Sequence, residues 1–150
     1  MTSSRSFENA ARLLHPSGRH LPLDGGILAD IAAGLGTTIP PMAPPQDGID
    51  RVRLLTTERY DVWMHAWAPG AVAPDHDHDG SISVVHVMLG RLKETVSDQP
   101  GSPAALRVLD EGTTTGLDVL PSHALANDSG GPAVSIHVYS PPLTDDPDPT

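Results

Sequence analysis

The segment Gly70-Ala-Val-Ala-Pro-Asp-His76-Asp-His78 carries two histidines one residue apart, downstream of a glycine. A third histidine, His123, follows in the later segment Pro121-Ser-His123-Ala-Leu-Ala-Asn127. Because alternate residues of an extended strand point to the same side, His76 and His78 can offer two imidazoles to one metal ion. The pattern indicates a metal site built on strands, with His123 as the candidate third ligand.

The composition favours a single domain rich in short strands. The chain has 150 residues, with 16 prolines, 14 glycines and no cysteine. Proline and glycine punctuate short apolar runs, as in proteins made of strands and turns. Without cysteine, a transition-metal site must be built from His, Asp and Glu.

The charge and hydropathy of the chain bear on its partners. The formal charge of -10 argues against a nucleic acid or an anionic membrane as partner, because both need a basic face. No apolar stretch approaches the length of a membrane span, and the amino terminus lacks the apolar core of a secretion signal. We therefore expect a cytoplasmic protein with a small-molecule partner.

Three regions are predicted along the chain: an N-terminal arm and helix (1–45), a barrel (46–143) and a disordered tail (144–150). Apolar residues at positions 28, 31, 32 and 35 have the spacing of one helical face and predict a helix on the outside of the barrel. The predicted fold class is all-β, a closed double-sheet roll that can hold a small ligand. The predicted strands cover residues 51–55, 60–68, 82–89, 91–96, 105–109, 117–120 and 133–140.

The histidine pair lies in a pattern that resembles the first motif of the cupin family. Gly70 precedes His76-x-His78, and Gly90 follows it. The acidic residue that the motif carries after the pair is missing, because its position falls at Ile82 or Ser83. The resemblance implies a cupin double-stranded β-helix, a jelly-roll barrel, with a short N-terminal helix.

A cupin that lacks this carboxylate resembles the cysteine dioxygenase type I group of small-molecule thiol dioxygenases, which hold iron with three histidines. The resemblance covers about residues 51–142. It implies Fe(II) held by His76, His78 and His123, O2 as co-substrate, and a small, cysteine-like thiol oxidised to a sulfinate. Four further stretches carry it: Trp67, Gly90-Arg-Leu-Lys-Glu-Thr95, His123-x-x-x-Asn127 and Ser135-Ile-His137-Val-Tyr139-Ser-Pro-Pro142.

The chemistry of three neutral ligands agrees with a thiol substrate. Such a site leaves the full double positive charge on the metal, which favours an anionic thiolate, and it keeps coordination positions open. Two other hypotheses remain. One is a related cupin oxygenase of a biosynthetic pathway that gives a different sulfur product from cysteine, and the other is a cupin that binds a metal or ligand without catalysis.

The resemblance also assigns catalytic roles near the iron. It implies a Ser-His-Tyr triad of Ser135, His137 and Tyr139, which alternate along one predicted strand and can face the cavity together. Arg53 is the better match to the family's substrate arginine, and Arg51 falls on the same strand face. Arginine meets a carboxylate with two parallel hydrogen bonds, so either residue can anchor a substrate carboxylate.

The remaining candidates are substrate-pocket residues. Trp67 and His65 are predicted to share one strand face, and His65 stands where the family generally has an aliphatic residue. Ser83 occupies the place where animal cysteine dioxygenases carry a cysteine crosslinked to the tyrosine, so Tyr139 is expected to be uncrosslinked. Lys93 and Glu94 are predicted to form a solvated strand face.

Overall fold

A computed structural model describes residues 22–76, 80–97, 105–117 and 122–143, with the backbone alone at 75, 76 and 117. In these ranges no helix is long and apolar enough to cross a membrane. The elements are α1 (Gly25–Thr38), β1 (Ile49–Thr56), β2 (Asp61–Trp67), β3 (Val72–His76), β4 (Ile82–Leu89), β5 (Arg91–Ser97), β6 (Ala105–Asp110), β7 (Thr114–Leu117), β8 (Ser122–Ala126) and β9 (Ala133–Ser140).

The strands form two antiparallel sheets. The five-stranded sheet has the order β1-β2-β9-β4-β7, and the four-stranded sheet has the order β3-β8-β5-β6. Apolar side chains from both sheets meet in one buried cluster, to which β2 contributes Trp67, β4 contributes Val87, and β5 contributes Leu92. This arrangement confirms the predicted all-β double-sheet roll, but among the described residues no strand pairing joins the two sheets into the closed barrel that was predicted.

Helix α1 covers the outer face of the five-stranded sheet, as predicted. Leu28 and Ala32 are fully buried in a second apolar cluster with side chains of that sheet. The Asp24 carboxylate caps the helix by accepting a hydrogen bond from the Gly26 N–H at 2.8 Å. The helix stops before Ile39, which is extended because a proline follows it. With the helix on one face and the second sheet on the other, strand β2 is buried at every position.

The observed strands differ from the predicted ones in three places. Strand β7 lies at Thr114–Leu117 instead of 117–120, and positions 118–120 fall outside the described residues. Gly116 weakens the strand pattern in the sequence, yet a Cβ there would stand only 3.3 Å from Val84, so the residue permits a close strand approach. Strands β3 and β8 were not predicted. Strand β3 contains Pro74, and its register shifts between positions 73 and 76.

Candidate active site

A cavity between the two sheets gathers most of the predicted functional side chains. The five-stranded sheet provides its polar wall, and the four-stranded sheet provides His123 beside two apolar residues. No carboxylate lines the part of the cavity that the structure describes. The lining residues are Arg51, His65, Trp67, Ala73, His123, Leu125, His137 and Tyr139.

Strand register explains why residues distant in sequence share the polar wall. In the pairing of β1 with β2, Arg51 lies opposite His65. In the pairing of β2 with β9, His65 lies opposite Ser135. Side chains at opposed positions project to the same face of a sheet, and alternate residues follow them. One inward face of three neighbouring strands therefore carries the predicted triad together with Arg51, His65 and Trp67.

Ser135 links two rings of this wall by hydrogen bonds. The Trp67 indole Nε1 donates to Ser135 Oγ at 2.9 Å, and Ser135 Oγ lies 2.7 Å from His137 Nε2. Because the indole N–H can only donate, the serine proton remains available for donation to His137 Nε2. The Tyr139 ring lies nearly parallel to the His137 ring, with centroids 6.3 Å apart. The structure thus brings the three predicted triad residues together on one strand.

His65 lies on the cavity wall at the predicted position. Its ring stacks on the His137 ring with centroids 3.8 Å apart and an interplanar angle of 24°. The His65 side chain is 4% exposed, so the stacked rings are part of the buried cavity wall. Binding of substrate by His65 stays a prediction.

The two candidate arginines differ in their surroundings. Arg51 lines the cavity. Arg53 lies over the Trp63 ring at 4.6 Å from its centroid, with Nη2 3.7 Å from the Asp61 carboxylate. Asp61 is fully buried and also accepts a 3.2 Å hydrogen bond from the backbone N–H of Leu143. Arg53 therefore belongs to a structural cluster, and Arg51 is the guanidinium on the cavity wall.

Ser83 lies opposite Tyr139 in the pairing of β4 with β9. Its side chain is 1% exposed, and its hydroxyl has no hydrogen-bond partner among the described residues. Because opposed residues of antiparallel strands share a face, this placement agrees with the predicted neighbourhood of Ser83 and Tyr139.

His123 is the described member of the predicted metal triad. Its side chain is 1% exposed and lines the cavity. His76 is paired with His123 in the register of β3 and β8. The side chain of His76 and all of His78 fall outside the described residues, among which no three His, Cys, Asp or Glu side chains form a metal site. Ligation by His76, His78 and His123 therefore stays a prediction.

Glu94 is the functional candidate that the sequence reasoning missed. It was predicted to be solvated, which is wrong, because the side chain is fully buried. Its Oε2 lies 2.9 Å from His123 Nδ1, and its Oε1 accepts from Arg107 Nε at 2.9 Å and also from Arg107 Nη2. Burial raises the pKa of Glu94, but the hydrogen bonds and charges of His123 and Arg107 outweigh burial and hold that pKa below its ordinary value.

Comparison with known proteins agrees with this geometry. The sequence profile of cysteine dioxygenase type I matches residues 46–146. The chain belongs to the cysteine dioxygenase type I family. Cysteine dioxygenase type 1 of Danio rerio is 33% identical over 94 residues, which cover 57% of this chain and 47% of the relative. The protein of that name from Rattus norvegicus is 32% identical over 93 residues, which cover 57% and 46% of the two chains.

Membership of the cysteine dioxygenase type I family confirms the predicted resemblance. The chain spans about half the length of the curated relatives it matches. The matched region includes every candidate site residue, because these run from Arg51 to Tyr139.

Solved structures similar to this chain confirm the cupin fold. A protein of Thermus thermophilus superposes with a TM-score of 0.57 at 23% identity, covering 67% of this chain and 90% of that one. The cupin domain of Schizosaccharomyces pombe Cnp3 gives a TM-score of 0.56 at 11% identity, covering 69% of each chain. The fold of this member of the cysteine dioxygenase family is thus the predicted jelly roll.

Proposed function

We propose that this protein is a thiol dioxygenase that oxidises cysteine or a similar small thiol with O2, using Fe(II) held by His76, His78 and His123. In the proposed reaction both atoms of O2 are transferred to the sulfur, so a thiolate becomes a sulfinate with no other reductant consumed. The observation that carries the proposal is the single cavity that joins His123, the Arg51 guanidinium and the strand bearing Tyr139.

The described residues fit an iron site of this kind. His123 Nδ1 faces the Glu94 carboxylate, so a metal would bind this imidazole through Nε2. His76 is the register partner of His123, and opposed residues of antiparallel strands generally project to one face. When bound, Fe(II) supplies open coordination positions and the redox chemistry that joins a thiol sulfur to O2.

The protein's own side chains would bind and orient the substrate. Arg51 is the group that we expect to hold a substrate carboxylate, because a guanidinium binds it with charge-assisted hydrogen bonds. Trp67 and His65 form the wall against which a small thiol would lie. Tyr139, positioned next to His137, would donate its hydroxyl proton in a hydrogen bond to the sulfur or to an oxygen atom.

The central experiment measures oxygen uptake by the full chain, reconstituted with Fe(II), in the presence of a panel of small thiols. The panel holds cysteine, a mercaptocarboxylate without an amine and an aminothiol without a carboxylate. We expect O2 uptake that matches thiol loss and a product that has gained two oxygen atoms. No uptake with any thiol of the panel would contradict the enzyme assignment and favour a cupin that only binds a metal or ligand.

Four variants test the assigned residues within the same assay. His76→Ala should lose both Fe(II) binding and turnover, whereas His86→Gln should keep both, because His86 contacts helix α1 at Gly36 on the outer face of the sheet. Arg51→Met should raise the KM for carboxylate-bearing thiols by about 10-fold to 100-fold, as expected for a lost charged hydrogen bond. The same change at Arg53 should have a much smaller effect on that KM.

His65 favours one alternative within the enzyme class. It places an imidazole on the cavity wall, stacked on His137, where the family generally has an aliphatic side chain. A polar group at this place could divert oxygen transfer to a different sulfur product of cysteine. Mass analysis of the product separates this biosynthetic oxygenase from a sulfinate-forming enzyme.

Cytoplasmic location and the tail at 144–150 stay predictions.

A further inference from the structure

Glu94 is a buried carboxylate held between a histidine and an arginine at the edge of the candidate site. It is fully buried, and the cavity lining does not include it. In the register of β5 and β6 it lies opposite Arg107, and in the register of β5 and β8 it lies opposite Leu125, which follows His123 on the same strand face. Diagonal neighbours in adjacent strands are close enough for long side chains to meet.

The donors and acceptors of this cluster determine the roles of its atoms. Arg107 carries only donors, and it uses Nε and Nη2 on Glu94 Oε1. Glu94 Oε2 is then the oxygen that faces His123 Nδ1 at 2.9 Å. An ionised carboxylate can only accept, so the ring nitrogen Nδ1 must carry the proton. In the neutral ring, Nε2 of His123 consequently has a lone pair.

We propose that Glu94, oriented by Arg107, is a positioning residue that holds His123 in the Nδ1–H tautomer and thereby presents Nε2 to the metal. The inference rests on the proposed function, since it takes His123 to be a metal ligand. Carboxylates that orient ligand histidines in this way generally contribute about 10-fold to 100-fold to metal affinity. The same role is expected of Glu94, although it never enters the metal's coordination sphere.

The substitution Glu94→Gln separates this role from simple packing, because glutamine has nearly the same shape. Arg107 can only donate, so the glutamine oxygen will turn to the guanidinium and the amide N–H2 will face His123. The amide then donates to Nδ1, which favours the Nε2–H tautomer and blocks the nitrogen that the metal needs. We therefore expect a tautomer switch together with a loss of metal affinity of about 10-fold or more.

Two measurements on the full chain test the proposal. The first is the imidazole tautomer of His123 in metal-free protein labelled with 15N-histidine, read by NMR at a pH where the ring is neutral and assigned with His123→Asn. The second is the Kd for Co(II), whose absorption spectrum reports its ligands. Asp128→Asn is the matched control, because it removes an exposed carboxylate whose partner Arg91, 3.5 Å away, lies on strand β5 as Glu94 does.

The outcomes separate this inference from the proposed function. Nδ1–H in the wild type, Nε2–H in Glu94→Gln and weaker Co(II) binding by the variant alone would support it. An Nε2–H tautomer in the wild type overturns it without recourse to any variant. Unchanged Co(II) affinity in Glu94→Gln overturns it while leaving the dioxygenase proposal intact. If the wild type binds no Co(II), the proposed metal site fails. The NMR measurement still decides whether Glu94 determines the tautomer of His123.

Discussion

The side-chain amide of Asn127 joins the end of β2 to the turn between β8 and β9. Its Nδ2 donates to the carbonyl oxygens of Trp67 at 3.2 Å, Ala68 at 3.2 Å and Gly131 at 2.8 Å. Its Oδ1 accepts from the hydroxyl of Ser129 at 2.7 Å. The residue is fully buried. The asparagine of the His-x-x-x-Asn motif therefore holds the backbone at Trp67, a residue that lines the cavity.

The substitution Asn127→Asp should destabilise the protein strongly. It removes the two N–H donors that the three carbonyl oxygens share, at about 1–1.5 kcal/mol for each lost donor. It also places a buried carboxylate against those oxygens, which adds a penalty of at least about 1–2 kcal/mol. We expect the free energy of unfolding to fall by about 3–5 kcal/mol at neutral pH, a large part of the stability of a small domain.

The loss in the free energy of unfolding depends on pH, and the pKa of the introduced carboxyl determines the direction. Burial among carbonyl oxygens raises the folded-state pKa of the introduced carboxyl above its unfolded value. The penalty is therefore complete above the folded pKa and decreases as the pH falls through it, when the neutral acid can donate one hydrogen bond. Asparagine at position 127 does not titrate, so the wild type lacks this contribution.

Urea unfolding of the variant at neutral and mildly acidic pH provides the assay. Asp128→Asn is the control, because it changes the charge of the next residue by one unit, in the opposite direction, at an exposed site. A surface change of this kind should alter stability by less than about 0.5 kcal/mol. A free energy of unfolding of Asn127→Asp within that margin of the wild type, or a destabilisation as large at acidic as at neutral pH, would contradict this role of Asn127.

Two further predictions concern helix α1 and the polar wall. Gly34→Ala should raise the free energy of unfolding by about 0.5–1 kcal/mol, because its Cβ meets no neighbouring atom. Gly36→Ala should lower it by about 1–3 kcal/mol, because its Cβ would clash with the His86 ring; urea unfolding of both variants checks the contrast. Ser135→Ala should cost about 1–3 kcal/mol in the same assay and reduce kcat, because the buried Trp67 N–H loses its acceptor; an unchanged midpoint would contradict this role.

The elements that could be predicted from the sequence are those with uninterrupted patterns. Strands β4 and β9 have the predicted bounds of 82–89 and 133–140, since each is a continuous run of strand-forming residues bordered by glycine or proline. The helix at 28–35 was also predicted, although it extends from position 25 to position 38. Strands β3 and β8 could not be predicted, because Pro74 breaks one of them and both are short.

The candidate site was predictable where it depends on alternation within one strand. Ser135, His137 and Tyr139 share a face of β9 for that reason. The same rule could have located Glu94, since it alternates with Leu92 on β5 and both are fully buried. The charge of Glu94 made a solvated position the expected one, and its compensating partner, Arg107, is 13 residues away in the chain. A pairing across strands of this kind has no local pattern in the sequence.

The positions of the acidic groups also bear on the substrate. Glu94 contacts His123 directly, but both of its oxygens are used, one by Arg107 and one by the imidazole. Because Glu94 does not line the cavity, it does not replace the carboxylate that the cupin motif lacks. In the described part of the cavity the charged lining residue is Arg51, so a divalent metal on neutral histidines would leave the site strongly positive. A thiolate that also bears a carboxylate would add two negative charges to this positive site, whereas a cationic thiol without a carboxylate would add a further positive charge to it.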